Sequence, residues 1–263
     1  MKSNNTHINR LACGVAVAGI LLIGAAVAKA EDPAPEAKKG WETTAAAGLT
    51  ITRGNRDTVL ATAGLTTSRK WDKDEVALGI SGGYGADKDN SSPTNTSVVN
   101  NNFIQGFAQY NRLFTEKFYG GLRLDGSYDG IANLDYRITL TPLAGYYLIK
   151  GTNTTLAVEV GPSAVAEQYS GQDSDIYLGI RFAQRFEHKL TDSTKLWQSV
   201  SYVPQVDDWT ANYVVTLVVG IDTAITKKWS LRVLFQDIYT SQPAPSSTSY
   251  NELRLIAGTA YKF

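Results

Sequence analysis

Asn251-Glu252-Leu253-Arg254-Leu255-Ile256-Ala257-Gly258-Thr259-Ala260-Tyr261-Lys262-Phe263 closes the chain, and its reading decides the fold. Leu253, Leu255, Ala257, Thr259, Tyr261 and Phe263 share one parity, while Glu252, Arg254, Gly258, Ala260 and Lys262 share the other. Side chains of a strand point alternately to its two faces, so this is a strand greasy on one side and polar or small on the other. A strand alone leaves its backbone groups unpaired along both edges. It needs neighbours, and the preceding chain is expected to supply them.

The same alternation recurs upstream. Val76, Leu78, Ile80 and Tyr84 face one way, as do Ile138, Leu140, Pro142, Ala144, Tyr146 and Leu148, and again Tyr213, Val215, Leu217, Val219 and Ile221. Strands are expected at about 41–53, 57–71, 74–86, 98–113, 117–129, 135–149, 154–167, 175–188, 194–203, 209–224, 228–240 and 249–263. That makes twelve. The fourth and ninth are ambiguous in parity, and either is open to a bulge. Pairing Ile51 with Val59 across the first turn sets Arg53 opposite Asp57.

The chain's start is of another kind. Lys2 and Arg10 precede an apolar stretch from Leu11 to Val27, and Ala28-Lys29-Ala30 is an A-x-A cleavage site, so residues 1–30 read as a secretory signal cut after Ala30. Cleavage leaves 263 − 30 = 233 residues with formal charge 22 − 25 = −3, because Lys2, Arg10 and Lys29 go and no acid does. That balance excludes a nucleic-acid binder. Cys13, the only cysteine, is lost as well, so no disulfide or thiol chemistry is expected. Residues 31–40, rich in Pro and charge, read as a flexible lead-in, and 41–263 as one domain. Beyond the signal no apolar run reaches helical membrane-spanning length. A membrane barrel needs only alternation.

The connections segregate by length. Turns at Asp72-Lys73-Asp74, Thr115-Glu116, Lys150 to Asn153, Thr191-Asp192-Ser193 and Thr226-Lys227 are tight, whereas Asp87 to Ser97, Ser170 to Ser174, Pro204 to Asp208 and Ser241 to Thr248 are longer, with only the first hairpin and Gly130 to Leu134 comparably short on that side. If both termini are periplasmic, the tight set falls on the periplasmic side. Aromatics sort likewise. Trp41, Trp71, Phe114, Phe118, Tyr146, Trp197, Trp229 and Phe263 fall at periplasmic strand ends, and Tyr84, Tyr128, Tyr136, Tyr177, Tyr202, Trp209, Tyr213, Tyr239 and Tyr250 at outer ends. Two aromatic girdles around an apolar band suit a bilayer-spanning barrel.

On the opposite parity stand Arg123, Asp125, Arg137, Glu159, Arg181, Arg185, Glu187, Asp222, Arg232, Glu252 and Arg254. At the bilayer midplane each base would cost about 2–4 kcal/mol, so these belong in the lumen. They are either a charged channel lining or a compensated network filling a narrow interior. Val214, Val218, Leu234 and Ile256 share the inward parity and suggest packing. Around the short hairpin Gly130 to Leu134, pairing Tyr128 with Tyr136 brings Arg137 near Asp125 and Asp129. With Asp135 this makes an outer-end cation or substrate site, or a latch. No phosphate loop, cofactor motif or Cys/His metal cluster occurs. The enzyme alternative, an outer-membrane hydrolase, rests on His188 alone; its parity points outward at a tight turn, and a surface histidine is expected there.

The terminal Tyr261-Lys262-Phe263 resembles the C-terminal signal by which bacterial outer-membrane barrels are handed to their assembly machinery. Wider stretches carry a second resemblance: Gly54-Asn55, Asp129 to Arg137 followed by Gly145-Tyr146-Tyr147, Glu159-Val160-Gly161-Pro162, Arg185 to Leu190, and Leu231 to Pro245. In order and spacing they resemble the YdiY-like salt-induced outer-membrane protein family, a domain of unknown function. The resemblance implies an outer-membrane β-barrel and supplies no substrate, catalytic residue or cofactor. Asp87 to Ser97 looks longer and richer in Asn and Ser than that family's pattern.

The expectation is thus an all-β, twelve-stranded antiparallel transmembrane β-barrel of the Gram-negative outer membrane, and not an enzyme. It is structural or a narrow small-solute or ion channel, with a plugged, surface-binding barrel as the alternative. A soluble periplasmic β-sandwich is the rival fold. Expected partners are outer-membrane lipid and lipopolysaccharide, with the barrel assembly machinery and periplasmic chaperones during biogenesis.

Overall fold

The computed structural model describes residues 40–52, 56–89, 96–244 and 249–263. The expected signal with Ala28 and Ala30, nearly all of the lead-in, Arg53, and residues 90–95 of the Asp87 to Ser97 segment lie outside the described residues.

Twelve strands follow in order: β1 Glu42–Thr52, β2 Arg56–Lys70, β3 Asp74–Asp89, β4 Ser97–Leu113, β5 Phe118–Asp129, β6 Leu134–Lys150, β7 Thr154–Tyr169, β8 Asp175–Lys189, β9 Thr194–Pro204, β10 Tyr213–Ala224, β11 Trp229–Thr240 and β12 Asn251–Lys262. Each pairs antiparallel with the next, and β12 returns to β1 to close the barrel. The expected strands are those observed, and the rival sandwich is excluded. Two limits move. β3 runs on because the ladder continues through Asp87↔Val98 and Lys88↔Ser97. β10 starts late, since Asp208 O accepts Ala211 N and Asn212 N at 3.2 and 2.8 Å and holds Trp209 in a turn. Of the two ambiguous strands, β4 carries the bulge, with Asn100 skipped between Gly85↔Asn101 and Ala86↔Val99. β9 pairs without a break on both edges.

The five turns expected to be tight on one side lie at the end where β1 begins and β12 finishes, and three share one device. Thr115 Oγ1, Thr191 Oγ1 and Thr226 Oγ1 accept the amides of Phe118, Thr194 and Trp229 at 2.9, 3.0 and 2.9 Å. A hydroxyl that bonds the amide three residues on closes the chain without help from elsewhere.

Outside, the barrel is apolar. Leu78, Ile80, Ile104, Leu122, Ile138, Leu140, Val160, Leu178, Leu231 and Leu255 all stand exposed on this face. Their band encircles the wall, far more apolar surface than a water-soluble monomer leaves open. Most expected girdle aromatics flank it. Trp41 meets Trp71 edge-on at 6.2 Å, and Tyr213 stacks with Tyr239 at 5.7 Å. Trp197 and Tyr177 correct the expectation. Both line the lumen, because they sit on the parity of Arg181 and Ser199.

Candidate functional site

Inside the barrel lies a cavity of about 880 Å³. Its walls are built by the inward parity of the strands, and the β4–β8 side is heavily filled. Glu159 on β7 is the centre of that filling, at 4% exposure. Its Oε1 accepts Gln109 Nε2 at 2.8 Å and Tyr119 Oη at 2.9 Å, and its Oε2 accepts Arg181 Nη1 at 2.9 Å. Arg185 Nη2 stands 2.9 Å from Oε1. One carboxylate therefore faces two guanidiniums, and this cluster by itself carries one surplus positive charge. A buried charge is tolerated only when paired and hydrogen-bonded, which this cluster achieves for the acid.

The neighbouring groups extend the network. Arg123 binds Asp125 through Nε and Nη2 at 2.8 and 2.6 Å and donates Nη1 to Gln109 Oε1 at 2.8 Å. Tyr147 Oη donates to Glu75 Oε2 at 2.7 Å from β6 to β3. Toward the terminus end, Arg232 grips Asp222 with two bonds of 2.7 and 2.8 Å, and Lys195 approaches Glu187 at 3.4 Å. Leu113, Tyr119, Leu143, Tyr147 and Ala157 pack beside these charges as a small buried cluster.

Aromatic rings lie against inward glycines where a side chain would not fit. Tyr119 covers Gly145, Phe107 covers Gly79, and Trp197 covers Gly220; a Cβ at these positions would meet the ring at 2.2, 2.4 and 2.3 Å. Buried atoms without a hydrogen-bond partner include Trp197 Nε1 and Arg185 Nε. Both are donors on lumen-facing side chains.

Two bridges cross the lumen toward the loop end. Gln105 on β4 and Gln236 on β11 exchange amide bonds at 3.5 and 3.3 Å. Arg254 on β12 bonds Asp129 on β5 and donates to Gln236 Oε1 at 3.1 Å, with its guanidinium 4.1 Å from the Phe103 ring centre. These pairs lie five strands apart around the ring in either case. They constrict the path.

The family profile described as "Protein of unknown function, DUF481" matches residues 45–263. The chain belongs to this family. A comparison with curated proteins gives no match. Among solved structures the NanC porin is similar at TM-score 0.50 and 8% identity, over 84% of this chain and 100% of that one. An outer-membrane channel from Pseudomonas putida F1 gives 0.47 and 11%, over 90% and 100%. The translocator domain of the autotransporter NalP from Neisseria meningitidis gives 0.45 and 16%, over 87% and 90%. What the chain shares with them is the fold of outer-membrane β-barrels.

Among the residues singled out from sequence, the structure joins Glu159 to Arg181 and Arg185, Arg123 to Asp125, and Arg232 to Asp222. Glu252 lines the cavity as well. The outer hairpin cluster does not assemble. Arg137 faces Ser127 in the ladder but pairs with Glu167 and Tyr169 on the other side, on β7. Asp129 Oδ1 holds the turn by accepting Ile131 N at 3.0 Å and Ala132 N at 3.2 Å, and its other oxygen takes Arg254. Asp135 accepts Ser170 Oγ at 2.6 Å. Ser127↔Arg137 keeps the expected register, but Glu167 stands directly opposite Arg137 on β7, while Arg123 and Arg254 take Asp125 and Asp129. Among the described residues no group of three acid, His or Cys side chains is placed to hold a metal ion. His188 Nδ1 lies 2.8 Å from Thr154 Oγ1 and its ring stacks on Phe186 at 6.3 Å, on the outward face.

Proposed function

We propose that the protein is an outer-membrane barrel of a Gram-negative envelope, with both termini periplasmic, that serves as a narrow conduit for small solutes and performs no catalysis. The lumenal cavity, crossed toward the loop end by the Gln105–Gln236 and Arg254–Asp129 bridges among the described residues, carries this reading. The apolar outer face asks for hydrocarbon as its solvent, and a closed barrel satisfies every strand edge it pairs. In this reading residues 1–30 are the cleaved signal, and the Trp229, Tyr261 and Phe263 rings, which meet edge-on at 5.0 and 4.9 Å, mark the C-terminal assembly signal. Biogenesis then involves periplasmic chaperones and the barrel assembly machinery, and the girdles meet lipid and lipopolysaccharide. The family likeness fits the YdiY-like branch.

Planar-bilayer recording tests the conduit. Discrete conductance is expected, larger in Gln105→Ala because one bridge is removed without stranding a charge. Arg181→Glu should turn a weak anion preference toward cations, since Glu159 then stands among fewer bases. No current from either the parent or Gln105→Ala would sink the proposal. The same bridges favour a second reading, a barrel sealed by its own side chains that binds through its loops, and silent bilayers are what it requires.

A further inference from the structure

The ladder that closes the barrel is its shortest. β1 and β12 pair through Thr44↔Lys262, Ala45↔Tyr261, Ala46↔Ala260 and Ala47↔Thr259, and there the ladder ends. Gly48 and Gly258 come next in that register. A Cβ on Gly258 would sit 2.2 Å from Ala47 O, and one on Gly48 2.6 Å from Ala257 O, so the two backbones pass closer than side chains allow. Beyond this crossing, toward the loop end, no β1–β12 pair forms among the described residues. Each strand nevertheless stays paired on its other edge, β1 to β2 as far as Thr52↔Thr58 and β12 to β11 as far as Tyr239↔Asn251. The break between β6 and β7 at Pro142 and Pro162 differs, because pairing resumes on both sides at Leu140↔Ala164 and Ala144↔Val160. The seam does not resume.

We propose that this parted half of the seam is a lateral portal, through which the hydrocarbon chain of a membrane-dissolved amphiphile passes between the bilayer and the lumen. The proposal rests on the reading of the lumen as a passage and adds the class of its cargo. Irregular backbone at membrane depth is tolerated where it borders a cavity, and here Ala47, Gly48 and Gly258 border one. Inside the portal an apolar strip lies beside Arg254 and Glu252, the other inward residues of the parted half of β12. Ile256 pairs with Leu234, and Val218 and Val214 continue the strip on β10. An aqueous path gains nothing from such a strip, whereas a hydrocarbon chain is matched by it. Facing it across the seam, Ala46, Thr62 and Gly64 leave room. A cavity of about 880 Å³ falls within the common range for small-molecule sites. At the same end the axial route is crossed by Arg254–Asp129 and Gln105–Gln236.

Cysteine pairs test this in a chain whose only native cysteine is Cys13 in the expected signal. Ile51→Cys with Leu255→Cys occupies positions that the register of the paired half would set opposite. Oxidation after folding into phospholipid vesicles locks the parted edges. Ala45→Cys with Tyr261→Cys locks the half already paired and serves as control. Each pair carries Leu234→Trp as a lumenal reporter, read against the same variant without it, and the quenchers are dibromostearate or a phospholipid bearing the same dibromo chains. Quenching is expected in the reduced state, lost on oxidising the Ile51/Leu255 pair, restored by reductant and unchanged in the control. Quenching by the free acid alone assigns a free amphiphile, and quenching by both assigns lipid tails as well. Quenching that survives oxidation puts the route through the mouth and overturns the portal while sparing the conduit. No quenching in any state overturns the portal too. So do disulfide-linked dimers from Ile51→Cys alone, which give the open edges to a second copy. Oxidation-sensitive quenching with silent bilayers keeps the portal and removes the ion-conducting part of the proposed function.

Discussion

The walls of the lumen built by β1–β3 and by β4–β8 have the same strand geometry and opposite contents. The first presents Thr44, Ala46 and Gly48, then Thr62, Gly64 and Thr66, then Ala77, Gly79 and Ser81. The second presents Gln109, Tyr119, Arg123, Glu159 and Arg181, cross-bonded into one network, with Tyr147 packed on Tyr119 and bonded across to Glu75 on β3. Barrels of about eight strands are filled and those of about sixteen are open, so a twelve-stranded ring is undecided by strand number alone. Here side-chain volume decides it wall by wall. One side is packed like a protein core, and the cavity survives against the other.

If the thick wall is a core, its centre should be costly to break. Glu159→Ala leaves Arg181 and Arg185 without their carboxylate, and losing one partner of a buried pair costs about 3–5 kcal/mol. Thr66→Ala on the thin wall should stay within about 0.5 kcal/mol. Urea unfolding from phospholipid vesicles, followed by tryptophan emission, measures both. Comparable losses would abolish the distinction between the walls.

Glycines sharpen it. Gly145→Ala drives a methyl into the Tyr119 ring, whose oxygen also serves Glu159, and overpacking of this kind costs about 1–3 kcal/mol. Gly64→Ala meets Ser81 Cβ at 3.3 Å, where a few tenths of an ångström of give suffice, so its cost should lie below about 1 kcal/mol. The same unfolding experiment ranks them. A Gly64→Ala loss as large as that of Gly145→Ala would show a thin wall with no slack.

How much of this was legible in the chain follows from what period two encodes. Alternation assigns a face, so Arg181, Glu159 and Arg232 were placed inward and the twelve strands could be counted. It also assigns Trp197 inward, and only its closeness to a turn made it look like a girdle residue. Partners across the lumen are another matter. Neighbours in the ladder follow from register, yet Gln105 meets Gln236, and Arg254 meets Asp129, through the curvature of the whole ring. Arg137 shows the local version: its register against β5 is the expected one, and its choice of Glu167 over the hairpin acids is made on its other edge, where β7 sets Glu167 directly opposite. Nor does the closing strand reveal its half-open seam. Residues 251–258 alternate except at Ile256, and the pattern does not mark where pairing stops.

The smallest contrast lies near the terminus end, where two ion pairs share the lumen and differ mainly in burial. Lys195 and Glu187 stand 3.4 Å apart at 43% and 58% side-chain exposure, whereas Arg232 and Asp222 lie at 2.7 Å with 19% and 15%. Water and salt reach the first pair, so its coupling should be about 0–1 kcal/mol and fade as ionic strength rises. The second is bidentate and shielded by Trp197, whose ring centre is 5.7 Å from the guanidinium carbon. Its coupling should be larger and outlast the salt. Double-mutant cycles with alanine at each pair, run in low and high salt, compare them directly. If both couplings vanish together, the lumen beside Trp197 is as wet as the mouth, and the ring does not shield the pair on β10 and β11.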